Sequence, residues 1–154
     1  MKKKGFTLVE LLAVIAILAI LVIIALPNVM NLFNRAKENA FETEIKGIYK
    51  TAQQQWIADS MLNTQSKVYC NATDGTALEM SGRSELKYSI KFNKSGEVVA
   101  YRVSDGSYQY EFDNSANPLE IDAINAESST EKVQQVSKID DENDVITVSC
   151  HSED

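Results

Sequence analysis

The chain has 154 residues, two cysteines and a formal net charge of −7, with 22 acidic side chains against 15 lysines and arginines. A chain of this length has room for one small domain beside its apolar N-terminal segment, but hardly for two. An acidic surface repels phosphate, so the composition argues against a general nucleic-acid-binding protein.

The N-terminal segment is a candidate membrane span. Between Phe6 and Met30 the sequence contains a single charged side chain, Glu10, and the apolar run Leu11 to Leu26 is long enough to cross a bilayer as a helix. A carboxylate at the centre of a bilayer costs about 2.5–3.5 kcal/mol, so a simple anchor is not expected to carry one. Glu10 therefore requires a specific role.

Three lysines and Gly5 come before the apolar run. A secretory signal peptide has a small-residue cleavage site after its apolar region, and the residues around Ala25-Leu26-Pro27 fit such a site poorly. The lysines place the N-terminus in the cytoplasm by the positive-inside tendency, so the remainder of the chain is expected outside.

The residues from Lys3 to Leu12, KKGFTLVELL, resemble the class III signal sequence of the type IV pilin family. This family includes the pseudopilins of type II secretion and of DNA uptake. The resemblance implies that a prepilin peptidase cleaves between Gly5 and Phe6 and then methylates the Phe6 amine, while the apolar run stays in the mature protein. Loss of the three lysines with the leader lowers the net charge from −7 to about −10.

The resemblance divides the chain into a leader at 1–5, a transmembrane and filament-core half-helix at 6–30, and an amphipathic half-helix with a globular head at 31–154.

Pro27 lacks a helix hydrogen-bond donor and crowds the preceding turn, so a helix break is predicted there. In relatives, the segment near this proline is thought to lose helical order when subunits pack into filaments. A simple kink is the alternative.

A continuation of the same helix is predicted from Val29 to about Ala58. Apolar side chains recur there at helical spacing, opposite a charged face, and this pattern is typical of a helix packed on a core. Gly47 lies where many relatives have a second proline, so any curvature is expected to be gentle. The apolar positions are Phe33, Ala36, Ala40, Phe41, Ile45, Ile48, Ala52 and Trp56.

Three antiparallel strands are predicted after a connecting loop of little regular structure from Asn63 to Arg83. Apolar and polar residues alternate in each strand, and turn sequences separate them at Asn93 to Gly96 and at Ser104 to Gly106. A sheet with one apolar face needs a cover, which the helix stripe supplies. The expected fold class is α+β, the type IV pilin fold. The inward positions are Leu86, Tyr88, Ile90 and Phe92, then Val99, Tyr101 and Val103, then Tyr108, Tyr110 and Phe112.

The C-terminal region gives weaker signals. A loop is predicted from Asn114 to Pro118, a short helix from Thr130 to Lys138, and a last strand from Val145 to Ser149 that ends in Cys150.

Cys70 and Cys150 allow one disulfide, because the head is expected in a compartment that permits it. Closing a loop of this size stabilises a small domain by roughly 4–5 kcal/mol as an upper estimate. Two unpaired thiols are the alternative. In many relatives a disulfide closes a loop near the C-terminus, and Cys70 lies well upstream of that position.

No catalytic site, metal site or cofactor is predicted. The acidic run from Asp140 to Asp144 resembles the calcium loops of some pseudopilins, but it lacks the glycine and the distant glutamate of an EF-hand, and a solvated run is the alternative. His151 follows Cys150, but neighbours in an extended chain point to opposite faces, so a thiol enzyme is not indicated and a histidine in a disordered tail is expected.

The resemblance implies a structural subunit of a type IV pilus that polymerises with other copies. In the expected mechanism, Glu10 of one subunit meets the Phe6 amine of a neighbour, and each charge neutralises the other. The implied partners are prepilin peptidase, an inner-membrane assembly platform and, before assembly, membrane lipid. A pseudopilin of a secretion or competence apparatus is the main alternative. A monomeric membrane-tethered binding protein or enzyme is the other, and it would keep its leader or an unmodified Phe6.

Overall fold

The computed structural model describes residues 5–62, 65–71, 75–80, 85–113, 118–124, 136–141 and 146–150. A long helix precedes five short strands, which confirms the predicted α+β class. By its internal contacts the chain forms two units, Met1–Lys37 and Glu38–Asp154. The elements are α1 (Leu8–Ser60), β1 (Lys67–Cys70), β2 (Lys87–Phe92), β3 (Val98–Ser104), β4 (Tyr108–Asp113), a 3₁₀ turn (Ile121–Ala123) and β5 (Ser137–Lys138).

Helix α1 runs without interruption from Leu8 to Ser60 and contains Pro27. The helix therefore continues past Pro27. The bend or weak point expected at this residue stays a prediction. Proline removes one N–H donor, but the turns on either side keep their own hydrogen bonds, and a long helix tolerates the loss. Any loss of helical order on packing into a filament stays a prediction.

One face of α1 forms part of the core of the second unit. Phe41, Ile45, Ile48 and Ala52 are buried as predicted, and Tyr49 joins them. Trp56 is half-buried and stacks on Phe92, with ring centroids 6.1 Å apart.

The first three positions of the predicted stripe are exposed instead of buried. Phe33 and Ala36 belong to the first unit, and Ala40 lies two residues after the start of the second unit at Glu38. Apolar residues recur at helical spacing both before and after Phe41, the first buried residue of α1. The spacing alone therefore does not show where packing on the core begins. The Phe33 ring lies 4.8 Å from the Lys37 ammonium, a cation–π contact typical of a partly solvated aromatic.

The sheet has the order β1-β2-β3-β4-β5, and all neighbouring strands are antiparallel. The three predicted strands correspond to β2, β3 and β4. Alternate residues of these strands point into the core, which includes Tyr88, Ile90, Tyr101, Tyr110 and Phe112. The prediction is wrong for Val99, since Val98 is in the core instead and Val99 is half-buried, because the register between β2 and β3 shifts at this end of β3. The core thus lies between the sheet and the distal part of α1, as the binary pattern predicted.

Two edge strands were not predicted. Strand β1 lies inside the stretch 63–83, which was wrongly predicted to lack regular structure, because four residues between turn sequences give too short a pattern. Strand β5 replaces the end of the helix predicted at 130–138, while 130–135 lie outside the described residues.

The predicted last strand is also wrong for 146–149, which have no regular secondary structure. In the loop predicted at 114–118, only Pro118 is described.

Buried tyrosines connect the helix to the sheet and to the loop after β4. The Tyr101 hydroxyl donates to the Ile45 carbonyl oxygen at 2.7 Å, and the Tyr49 hydroxyl donates to the Leu119 carbonyl oxygen at 2.9 Å. Burial raises the pKa of Tyr101 well above its ordinary value, so this hydroxyl stays protonated and remains a donor. Because each bond joins distant parts of the chain, the aromatic core fixes the position of α1 on the sheet.

The predicted disulfide between Cys70 and Cys150 is confirmed, with the two α-carbons 5.6 Å apart. Gly75 lies directly against it. A β-carbon at Gly75 would overlap the sulfur atoms of both cysteines and would lie 2.8 Å from the Cys70 carbonyl oxygen. The backbone at Gly75 can therefore lie close to the disulfide only because this residue has no side chain.

The end of α1 is anchored to β1 by a polar cluster. One Asp59 carboxylate oxygen accepts from the Lys67 ammonium at 2.6 Å and from the Tyr69 hydroxyl at 2.8 Å. These two bonds, that from Lys67 first, lower the pKa of Asp59 below its ordinary value of 3.8. A lowered pKa means that Asp59 stabilises the folded chain above about pH 4 and loses this contribution as the pH falls through its folded pKa.

We therefore expect Asp59→Asn to lower the urea midpoint of the purified chain in detergent micelles at pH 7. The difference from the wild type should shrink between pH 4 and pH 2, because the wild-type carboxylate is then protonated as well. Urea titrations across this pH range measure both effects. A difference that is constant with pH would contradict the assignment of the stabilisation to the charged carboxylate.

Candidate functional site: the N-terminal helix

The first unit presents apolar side chains all around its helix. Every described residue from Gly5 to Ala40 is exposed, and large apolar side chains such as Leu12, Ile15 and Leu18 expose more than half of their surface. A helix that is hydrophobic on all sides is stable only when lipid or other apolar helices surround it. Among the described residues, α1 is also the one helix that is long and apolar enough to cross a membrane. This segment therefore needs an apolar environment.

Glu10 takes part in a capping box with Thr7 at the start of α1. One carboxylate oxygen of Glu10, Oε2, accepts from the Thr7 backbone N–H and from the Thr7 hydroxyl, both at 2.8 Å. In return, the Glu10 backbone N–H donates to the Thr7 hydroxyl oxygen at 3.3 Å. Two helix-terminal donors are thus satisfied within the chain, and the carboxylate is not left bare in the apolar segment.

Thr7 was not among the predicted site residues. The signal was present, since Thr7-Leu8-Val9-Glu10 has the spacing of a capping box immediately before an apolar run. The charge of Glu10 and the cleavage motif are stronger signals than a single threonine between them.

The predicted cleavage site lies in exposed chain just before the helix. Phe6 exposes 91% of its surface, and a β-carbon added at Gly5 would contact nothing within 4 Å. Packing in this chain therefore does not require glycine at position 5, which leaves close approach of an enzyme as a reason for it. The leader residues 1–4 lie outside the described residues. The pairing of Glu10 with a Phe6 amine on another copy stays a prediction.

The other candidate sites receive no support from the described part of the chain. No group of three or more His, Cys, Asp or Glu side chains that could hold a metal ion occurs there. In the acidic run, Asp140 accepts from the Lys138 ammonium at 3.0 Å, while 142–144 lie outside the described residues, as does His151.

Comparison with known families identifies the N-terminus. Residues 1–26 match the family model described as the prokaryotic N-terminal methylation motif. The chain begins with a class III signal sequence. Type IV pilins and pseudopilins carry this class III signal, and the long helix followed by an antiparallel sheet is consistent with the type IV pilin fold. Searches of the curated proteins and of the solved structures each gave no match.

The capping box of Thr7 and Glu10, which lies within the class III signal, can be tested by substitution. Thr7→Val removes the hydroxyl but keeps the backbone donor, so the first turn of α1 should lose about 1 kcal/mol of stability. The Glu10 amide of the mature chain in detergent micelles should then exchange its hydrogen about fivefold faster. Thr7→Ser, which keeps the hydroxyl, is the control and should behave like the wild type. Equal exchange in all three chains would contradict the capping role.

Proposed function

We propose that this protein is a structural subunit of a type IV pilus. One observation carries the proposal: a class III signal opens a helix that is apolar on every side and contains one carboxylate, Glu10, in its first turn. An anchor would need only the apolar residues. The Thr7 bonds satisfy one oxygen of this carboxylate but do not neutralise its charge, and cleavage after Gly5 would create a cationic partner at Phe6.

In the proposed mechanism, the head is outside the membrane and prepilin peptidase removes residues 1–5 on the cytoplasmic side. Phe6 then carries a methylated, positively charged amine, one helical turn from Glu10. In a bundle of such helices, the Glu10 carboxylate of one copy pairs with the Phe6 amine of the next. Attraction at low dielectric offsets the desolvation of both charges, whereas a mismatched register leaves both charges unpaired.

The Thr7 cap leaves room for this second partner. Both Thr7 bonds go to Oε2 of Glu10, so the other carboxylate oxygen can accept from an incoming amine without loss of the cap. Apolar side chains move from lipid to protein during assembly with little hydrophobic gain, so close packing and an assembly platform in the inner membrane must supply the remaining driving force. Repeated contact without ring closure produces a helical fibre.

A pseudopilin of a secretion or competence apparatus is the second candidate, since it shares the class III signal and Glu10. Immunogold electron microscopy of intact cells with an antibody against the head separates the two. Long labelled surface fibres support the pilus, and label confined to the cell envelope supports the pseudopilin. Chains that keep Met1 to Gly5 and stay monomeric would exclude both.

A further inference from the structure

The outer face of the sheet is the face that points away from the core and from α1. Opposite partners in an antiparallel sheet share a face, and Tyr69 faces Ile90 in the core. The next position along β1 is Cys70, which pairs with Ser89 and therefore lies on the outer face. In the same row, Ser89 pairs with Arg102, and Arg102 pairs with Glu111 on β4.

The segment 146–150 is attached to this face at two points. Its first backbone N–H, that of Ile146, donates to the side-chain oxygen Oε1 of Gln109 at 2.9 Å. Gln109 lies on β4 two residues before Glu111, so it also belongs to the outer face. The last residue of the segment, Cys150, is bonded to Cys70 on β1.

The distance between these attachments matches the length of the segment. From β4 to β1 there are three strand spacings, about 14 Å, and Gln109 lies two residues along β4 from the row of Cys70, about 7 Å, so the two attachment residues are about 16 Å apart. Four residue steps from Ile146 to Cys150 span about 13–14 Å when the chain is extended, and the side chains of Gln109 and the two cysteines supply the remainder. Thr147 is exposed, while Ile146, Val148, Ser149 and Cys150 are half-buried, so most of the segment lies against a surface.

We propose that residues 146–150 form a strap across the outer face of the sheet, and that the Cys70–Cys150 disulfide is its latch. Among the described residues, the strap has no regular secondary structure and forms no ladder with a strand. Within the described part of the chain, one side-chain hydrogen bond and one covalent bond hold its two ends. Breaking the covalent bond therefore frees the strap, while the sheet stays packed on α1 through its opposite face.

The strap covers a charged row of the sheet. The Arg102 guanidinium donates to Glu111 at 2.6 Å and to Asp113 at 3.1 Å, and both Arg102 and Glu111 are only partly exposed. Cys70 is completely buried although it faces outward, since Cys150 and Gly75 lie against it. In a reducing compartment the latch is open, and in an oxidising compartment it closes. This compartment step rests on the proposed export of the head, whereas the strap itself does not.

Hydrogen exchange of the purified full-length chain in detergent micelles tests the strap. The phosphine TCEP gives two electrons to the disulfide and becomes its oxide, with water as the source of the oxygen and the protons, leaving two thiols. After reduction, amides of 146–150 should exchange close to the rate of an unstructured chain, while those of β2 and β3 stay strongly protected, although loss of the disulfide lowers the global stability that limits their exchange. Loss of protection in the strands together with the strap, or no change in the strap, would overturn the proposal.

A variant tests the second attachment without reduction. In the oxidised chain, Gln109→Leu removes the acceptor on β4, so the Ile146 amide should exchange about fivefold faster while Cys150 stays bonded. Gln53→Leu, an exposed position on α1, is the matched control and should leave Ile146 unchanged. An unchanged Ile146 amide in Gln109→Leu would show that the strap does not cross to β4. Both experiments use isolated chains, so their outcome is independent of whether the protein forms fibres.

Discussion

Glu10→Ala should enter the membrane normally and fail to enter fibres. Removing the carboxylate makes the apolar segment easier to insert by about 2.5–3.5 kcal/mol at most, so insertion is not impaired. In the assembled bundle, however, the Phe6 amine of each neighbour loses its counter-ion. Leaving a buried charge unpaired costs about 3–5 kcal/mol for each copy, which corresponds to a drop of roughly two to four orders of magnitude in incorporation.

The measurement compares the amounts of the chain in the membrane fraction and in the sheared surface fraction. Glu38→Ala is the matched control, because it also removes one exposed carboxylate from α1 but lies beyond the apolar segment. The control should assemble like the wild type. Normal fibres in Glu10→Ala, or an equal defect in Glu38→Ala, would refute the role of Glu10 in setting the register.

Gly75→Ala should prevent the disulfide from closing and destabilise the head. The new β-carbon would occupy the space of the two sulfur atoms, and the nearest backbone atom, the Cys70 carbonyl oxygen, belongs to β1 and has little freedom to move. Loss of a native disulfide costs a small domain about 2–5 kcal/mol. The variant should therefore show two free thiols and a lowered urea midpoint.

Thiol titration under denaturing conditions and urea unfolding measure these two effects. Gly47→Ala is the matched control, since a β-carbon there meets nothing within 4 Å and alanine favours a helix. It should keep the disulfide and lose no stability. A fully oxidised Gly75→Ala chain with the wild-type midpoint would show that the disulfide does not require glycine at this position.

The central parts of the fold were predictable because they have strong periodic signals. The alternation in β2, β3 and β4 and the helical spacing from Phe41 to Ala52 each involve several residues that face one core. The edge strands β1 and β5 were not predictable in this way. They have four and two residues, and pairing with a neighbouring strand determines them more than their own pattern does.

The candidate site was predictable to a different degree at each residue. Gly5 and Phe6 stand out because they form a processing motif directly before an apolar run. Glu10 stands out because it is a charged residue within that run. Thr7 acts through hydrogen bonds to Glu10. A single polar residue next to a processing motif is a weaker sequence signal than the motif. Pro27 lies inside α1, because one missing hydrogen bond does not outweigh the cooperativity of a long helix.

The path of the C-terminal segment could not be read from the sequence. Two cysteines predict a bridge, but the face of β1 on which Cys70 lies depends on the register between β1 and β2. The contact of Ile146 with Gln109 likewise joins residues 37 positions apart that have no shared motif. Such features follow from topology, which becomes visible only when the strands are placed.

The account depends on an apolar helix that is kept after cleavage and assembled with its carboxylate paired to the next copy. Intact-mass and N-terminal peptide mass spectrometry of a sheared surface fraction measures this most directly. The account predicts a polymerised chain that begins at a monomethylated Phe6 and lacks Met1 to Gly5. A chain found only in the membrane, unpolymerised and still carrying its lysine leader, would contradict it.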